Sequence, residues 1–254
     1  MGAGHSHPLH LPGDSPLHRA PVEVKIVAAF VGVAAVVATP PEQYWAFGVF
    51  ALLLVAVWHV GEIPLRWILP RSVIELPFVV LAVLLPFSEG GPQVEVLGLT
   101  LSQPGTVAAW GIVAKGTLGV LTSITLAATT EPRELPVGLQ KLRVPSLVTT
   151  IVVLMLRYVD LLVDEGHRMR LARLSRGDDP RTWRQLGATA RGVGGLFLRA
   201  YERGERVHLA MASRGFTGTM PTMTDRVTTS RSWAAGALPA GAAVLVAGSA
   251  LLLA

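Results

Sequence analysis

Two stretches of the chain end on the same three residues, Ser175-Arg176-Gly177 and Ser213-Arg214-Gly215. The match extends backwards. Arg168, Leu171 and Ala172 precede the first triplet at the spacing at which Arg206, Leu209 and Ala210 precede the second. Residues four apart on a helix share a face, so Ala172 lies under Arg176 and Ala210 under Arg214. Small Ala, Ser and Gly allow close backbone contact, which marks Ala172 and Ala210 as candidate helix-crossing contacts. The adjacent arginine offers a planar fork of donors. That fork suits carbonyls or carboxylates in a groove of another protein. The chemistry is recognition, and no bond is made or broken. The ordinary alternative is capping, because a helix dipole favours Arg in the last turn and a left-handed cap favours Gly after it. Two matched tips favour a docking device used twice.

The other reactive groups are scattered. His5, His7, His10 and His18 carry imidazoles that suit a transition metal. A polar tail with incidental histidines explains them as well, and no metal site is assigned. Lys115 stands inside an apolar stretch, where a charge is a functional candidate by default. Snorkelling or a contact to a neighbouring helix explains it equally. His59 and Glu62 fall near the end of an apolar run and suit an interface. Asp164 and Glu165 can pair with Arg168 on one solvated helix face. The chain has no cysteine, which removes disulfides, thiolate metal sites and cysteine nucleophiles. It contains no P-loop, so it cannot hydrolyse ATP by that route.

The elements that must carry these residues are built for lipid. Of 254 residues, 51% are hydrophobic and 15% charged, against about 25% charged in a soluble domain. The expected fold is an all-α integral membrane protein with about five transmembrane helices and two long helices ending in Ser-Arg-Gly. A span needs roughly 20 mostly apolar residues. Residues 22–38, 44–60, 72–87 and 106–129 supply four, and 233–254 a fifth. Pro40 and Pro41 end the first, and Pro77 interrupts the third. The stretch 88–103 reads as a loop rich in Gly and Pro. The start, with its His and Pro residues and no early apolar core, does not resemble a signal peptide.

Charge then orients the chain. Arg19, Lys25, Arg66, Arg71, Arg133, Lys141 and Arg143 fall in alternate connections, while 39–43 and 88–103 hold no Lys or Arg. The positive-inside rule puts the N-terminus and residue 131 in the cytoplasm. More than half of the 22 Lys and Arg residues lie between Arg168 and Arg231, a block that also belongs on that side. Residues 146–163 are apolar enough to cross, but Arg157 and Asp160 would be costly at the bilayer centre. They are read as part of a cytoplasmic-side helix from Pro145 to Arg176, with Gly177 as its cap. Asp178-Asp179-Pro180 makes a turn. A second helix runs from Thr182 to Arg214, where Gly192, Gly194 and Gly195 allow a kink or a close approach. The expected division is an N-terminal tail (1–21), a four-span region (22–130), a cytoplasmic two-helix domain (131–231) and a last span (232–254).

At these residues the chain resembles the transmembrane T component of energy-coupling factor transporters, its cobalt-type subfamily in particular. That family carries two Ala-Arg-Gly-like tips; both read Ser-Arg-Gly here. Arg157-Tyr158 through Glu165, Arg168, Met169 and Ala172 resembles the first coupling helix. Leu196-Phe197-Leu198-Arg199 through Glu202, Glu205, Ala210-Met211 and Arg214-Gly215-Phe216 resembles the second. Ser15-Pro16-Leu17-His18-Arg19 with Lys25, and Thr129-Thr130-Glu131-Pro132 with Leu142-Arg143-Val144-Pro145, are similar to further family stretches. The resemblance covers residues 15 to 216.

What it implies is a non-catalytic permease subunit of an ATP-driven importer, in the cell membrane. Two ABC-type ATPase subunits would hold Arg176 and Arg214, with ATP and Mg bound in those partners and no cofactor in this chain. A separate small membrane subunit would bind the substrate, cobalt or nickel. Membrane lipid is the remaining partner. The rival class is an intramembrane hydrolase, which needs a Gly-x-Ser-x-Gly serine, paired acids or His-Glu-x-x-His; none is present. Nucleic acid is not expected as a partner, because Trp183 and Tyr201 alone do not make a base-stacking platform.

Overall fold

The computed structural model describes residues 9–88, 92–96, 99–177, 186–220 and 229–253. The chain divides into two compact units, residues 6–138 with 225–254, and residues 139–224.

Helix α1 (Pro16–Arg19) is a single turn capped by Ser15, with Pro16 in its first position. Pro suits that position because its missing N–H has no helical partner there. Helix α2 (Val22–Ala38) follows Pro21. Helix α3 (Tyr44–Gly61) ends at Glu62, whose φ of 53° turns the chain out of the helix. The third apolar run is not one regular helix. Residues 72–87 fall in a 3-10 segment Leu69–Glu75 and in α5 (Leu76–Ser88), and the stretch before them, expected as a loop over 61–71, contains the short helix α4 (Leu65–Ile68). Pro70 and Pro77 withhold the donors that a continuous α-helix needs.

The segment expected as a plain loop contains an antiparallel hairpin. Strands β1 (Gln93–Val96) and β2 (Leu99–Ser102) pair with Gln93 opposite Ser102 and Val96 opposite Leu99. The alternation Gln-Val-Glu-Val and Leu-Thr-Leu-Ser has the period of a strand, and its Gly-rich surroundings obscured it. Helix α6 (Gln103–Thr129) starts where the hairpin ends. The Ser102 hydroxyl accepts the Gly105 N–H at 3.3 Å. A short 3-10 turn leads to α7 (Leu135–Lys141).

Helix α8 (Ser146–Leu174) is continuous, as expected. Helix α9 (Leu186–Ala212) is also continuous among the described residues. The expected turn at 178–180 and the expected helix start at 182 lie outside them. Helix α10 (Ser230–Leu252) opens on Thr229, before the expected Trp233.

Five of the described helical segments are long and apolar enough to cross a membrane: Tyr44–Gly61, Leu65–Phe87, Gln103–Thr129, Ser146–Leu174 and Ser230–Leu252. This set includes α8, which the charge argument kept on one side. It does not include α2, whose 17 residues rise about 26 Å and carry Glu23 and Lys25 in the first turns.

Within the larger unit, α2 packs on α10 and α6, and α5 packs on α6. The core is rich in small residues: Ala35, Ala46, Ala114, Ala243, Ala247 and Ala250 surround Phe47, Phe50 and Leu118. Without a hydrophobic drive in lipid, close approach through small residues is what holds helices together. Gly236 of α10 is the tightest point. A Cβ there would overlap Val24 Cγ1 of α2. Large apolar side chains such as Phe30 (76% exposed) and Leu245 (75% exposed) point outward, as lipid-facing residues do.

Several polar groups inside this bundle are satisfied locally. The Trp58 indole donates to Thr125 Oγ1 at 2.7 Å, joining α3 to α6. Lys115 donates to the Val37 carbonyl at 2.9 Å. Its charge therefore caps the C-terminal end of α2, where the helix dipole is negative. Glu75 is 5% exposed and accepts the Thr117 hydroxyl at 2.7 Å.

Candidate coupling site: two matched helix tips

The last turns of α8 and α9 repeat each other bond for bond. Ser175 N–H donates to the Leu171 carbonyl at 3.0 Å, and Ser213 N–H to the Leu209 carbonyl at 3.0 Å. Arg176 N–H bonds the Arg173 carbonyl at 3.0 Å, and Arg214 N–H bonds the Met211 carbonyl at 3.0 Å. The Ser175 hydroxyl turns back to the Ala172 carbonyl at 3.0 Å, and the Ser213 hydroxyl to the Ala210 carbonyl at 3.1 Å. Gly177 and Gly215 then adopt φ of 80° and 83°. Only glycine enters that left-handed region without strain.

The serine hydroxyl and the glycine together tighten each end. The serine satisfies a carbonyl that the helix leaves open, and the glycine redirects the chain. At the second tip the Phe216 N–H also reaches the Met211 carbonyl at 3.0 Å. Ser175, Arg176, Gly177, Ser213, Arg214 and Gly215 are all exposed. Each arginine is thus carried on a rigid, solvent-facing turn.

The two helices meet away from the tips. Glu165 of α8 pairs with Arg199 of α9 at 2.9 Å and with Arg168 of its own helix at 2.8 Å. Arg199 also approaches Met169 Sδ at 2.9 Å and donates to the Gly195 carbonyl at 3.3 Å. Gly192 of α9 faces this contact: a Cβ there would stand 3.4 Å from Arg173 Nη1 and 3.7 Å from Met169 Cε. Ala172 and Ala210, the small residues marked for the crossing, are exposed, and these contacts run through Glu165, Met169, Arg173, Gly192 and Arg199. Glu165 was legible as a partner of Arg168 on its own helix, while Arg173 and Arg199 were not read as its neighbours; the glycine was legible as a close-approach point, without its partner. Thr150 also ties the start of α8 to the Gly218 carbonyl, beyond α9, at 3.3 Å.

A second set of family-like stretches is brought together in the larger unit. Leu11 N–H donates to the Ala128 carbonyl at 2.9 Å, and Lys25 Nζ to the Thr129 carbonyl at 2.6 Å. The Ser15–Lys25 stretch therefore sits on the end of α6, at Thr129 and Thr130. Lys25 is 6% exposed, and its charge lies against the negative end of the α6 dipole. Thr130 Oγ1 is buried with no hydrogen-bond partner among the described residues.

The His18 ring is fully engaged here. Its Nε2 donates to the Leu11 carbonyl at 3.0 Å, and the Ser15 hydroxyl donates to its Nδ1 at 2.7 Å. That tautomer follows from the partners. Partial burial lowers the His18 pKa, against the opposing hydrogen bond to Leu11. Arg19 holds the Asp14 carboxylate through two bonds, of 3.0 and 2.9 Å, which lowers the Asp14 pKa. His5 and His7 lie outside the described residues. Among the described residues no cluster of His, Cys, Asp and Glu could hold a metal ion.

A family of cobalt transport proteins, CbiQ, matches residues 13–224. The chain is 28% identical over 218 residues to the cobalt transport protein CbiQ of Rhodobacter capsulatus, covering 86% of this chain and 88% of that one. It is 27% identical over 223 residues to the energy-coupling factor transporter transmembrane protein EcfT of Bacillus selenitireducens, covering 82% of each. The EcfT protein of Bacillus subtilis is 26% identical over 230 residues, with 82% and 83% covered. Both stretches that form the helix tips and the docked N-terminal segment fall within the matched residues, and the chain belongs to the CbiQ cobalt transport protein family.

Proposed function

We propose that this multi-pass membrane protein is the coupling subunit of an ATP-driven energy-coupling factor importer, with Arg176 and Arg214 each seated in a groove of an ABC-type ATPase. The observation that carries this reading is the repeated tip. Two helices present the same exposed arginine on the same serine-braced, glycine-ended turn, as two equivalent receivers would require. The relatives' names place the chain among transmembrane transport components.

In this reading the residues 131–231 form a cytoplasmic domain, the N-terminus lies on the same side, and α8 stays on that side despite its apolar first half. ATP and Mg belong to the ATPases, and this chain is non-catalytic. ATP-driven movement of the two receivers displaces α8 and α9, which the Glu165–Arg199 contact links. That displacement reaches a separate small membrane subunit that binds the substrate. The substrate is a transition-metal ion, cobalt by the family match and nickel by similar chemistry. Gly177 and Gly215 permit the left-handed turn that ends each helix directly after its arginine.

The test is co-purification and uptake. The full complex is expressed with Arg176→Glu and Arg214→Glu, singly and together. The double variant should insert normally, lose its ATPases on purification, and abolish cobalt uptake. Retention of ATPases with normal uptake in the double variant would sink the coupling assignment.

A further inference from the structure

A cavity of about 560 Å³ runs among α1, α2, α3, α6 and α10 of the larger unit. Its far end rests on core residues Val36, Phe50, Leu118 and Ala243. The near end has a different character. Arg19, Lys25 and Arg231 line it together with the hydroxyl-bearing Thr229 and Ser232, and no Asp or Glu is among the lining residues. Lys25 already serves the Thr129 carbonyl, and Arg19 is held by Asp14 in a solvent-exposed pair. The exposed Arg231 stands in the first turn of α10.

The dimensions and the chemistry select the occupant. From Lys25 to Val36 the α2 wall rises about 16 Å, close to half of a bilayer core of about 30 Å. The cavity thus has the length of one leaflet, with its cations gathered at one end. Apart from Thr122, Thr125 and Thr129 the walls between are apolar, and no His, Asp or Glu among the lining residues supplies the donors of a metal site. A flexible hydrocarbon chain fits. Basic pockets at helix ends attract anionic headgroups.

We propose that this cavity binds one acyl chain of an anionic phospholipid, with the phosphate held between Arg231 and Arg19. The lipid closes the gap between the start of α2 and α10 on one side and α3 and α6 on the other. It braces the bundle at the end where the N-terminal segment docks. Arg19 exchanges part of its bond to Asp14 for the phosphate, which exposure of both side chains permits.

The full-length protein, delipidated in mild detergent, is titrated with phosphatidylglycerol or phosphatidylcholine and examined by native mass spectrometry. Phosphatidylglycerol should remain bound at activation energies that strip phosphatidylcholine. Each basic residue beside an anionic headgroup contributes about fivefold. Arg19→Gln with Arg231→Gln should therefore weaken phosphatidylglycerol by roughly 30-fold and leave phosphatidylcholine unchanged. Gly32 lines the cavity, and a Cβ there meets nothing within 4 Å. Gly32→Leu should fold and should abolish retention of both lipids by occupying the space. Equal retention of the two lipids overturns the proposal, as does a Gly32→Leu protein of unchanged helicity that still retains phosphatidylglycerol. A cross-link from the cavity wall to a protein segment instead of a lipid overturns it too.

Discussion

Glu165 Oε1 of α8 and Arg199 Nη1 of α9 lie 2.9 Å apart, and this ion pair joins the two helices that carry the matched tips. The same carboxylate holds Arg168 at 2.8 Å, so one acid serves both helices. The acid is the more protected partner, with 22% of its side chain exposed against 51% for Arg199.

A solvent-exposed pair of this kind contributes only a small coupling, because water and salt screen it. A double-mutant cycle of Glu165→Gln and Arg199→Gln, followed by thermal unfolding in detergent, should return a coupling of that size. The reversed pair, Glu165→Arg with Arg199→Glu, should recover less than the full coupling because Arg168 would face a new positive charge. The structural effect is small; in the proposed coupling the pair links two helices that move together, so the effect on uptake should be larger. Full uptake in both single variants would show that α8 and α9 act independently.

Gly177 and Gly215 give a sharper test of the repeat. Their φ of 80° and 83° cost a residue with a Cβ about 1 kcal/mol at each position. Gly177→Ala and Gly215→Ala should each unravel the last turn. The readout is faster amide exchange at Ser175 and Arg176, or at Ser213 and Arg214, without a change elsewhere. Gly→Asn, which tolerates the left-handed region better, should restore most of the protection. Equal exchange in the Ala and Asn variants would mean the turn does not depend on that conformation.

Much of this was legible in the chain itself, because the informative patterns were local. The repeat at 168–177 and 206–215 is a matter of spacing, and helical geometry follows from it directly. The spans were legible as apolar runs closed by Pro40, Pro41 and Gly61. The hairpin at 93–102 was not, since four-residue strands carry little periodic signal beside Gly and Pro. Neither was the crossing. Ala172 and Ala210 share a face with the arginines by spacing alone, while the pairing of Glu165 with Arg199 joins residues 34 apart in sequence and depends on how two helices pack. Glu75 was passed over inside an apolar run. Its hydrogen bond to Thr117 is likewise a tertiary event, although a lone acid between Ser72 and Phe87 was a signal that it is held by something.

Gly236 tests the packing of the bundle. Because a Cβ there would overlap Val24 Cγ1, Gly236→Val forces α10 away from α2. Overpacking of a close contact costs about 1–3 kcal/mol. The expected outcome is a lower unfolding temperature in detergent, partly rescued by Val24→Ala on the facing helix. Absence of rescue would place the damage within α10 itself.

His18 makes the docking of the N-terminal segment depend on pH. Burial lowers its folded pKa below the ordinary value near 6.5. The folded segment therefore keeps the ring neutral where the undocked one takes up a proton. Between the lowered value and about 6.5 the undocked state binds more protons, so docking strengthens as pH rises. Its contribution is complete above about 6.5 and is lost as pH falls through the folded pKa. Protonation also converts Nδ1 into a donor, which conflicts with the hydroxyl that Ser15 presents to it unless that hydroxyl rotates. The chain has no cysteine, so a single Leu9→Cys spin label, at a half-exposed site beside the segment, reports only this region. Its mobility should increase as pH falls from 7.5 to 5. His18→Gln, which keeps a donor for the Leu11 carbonyl and cannot titrate, should flatten that profile. A label whose mobility changes equally in the Gln variant would assign the pH response to another group.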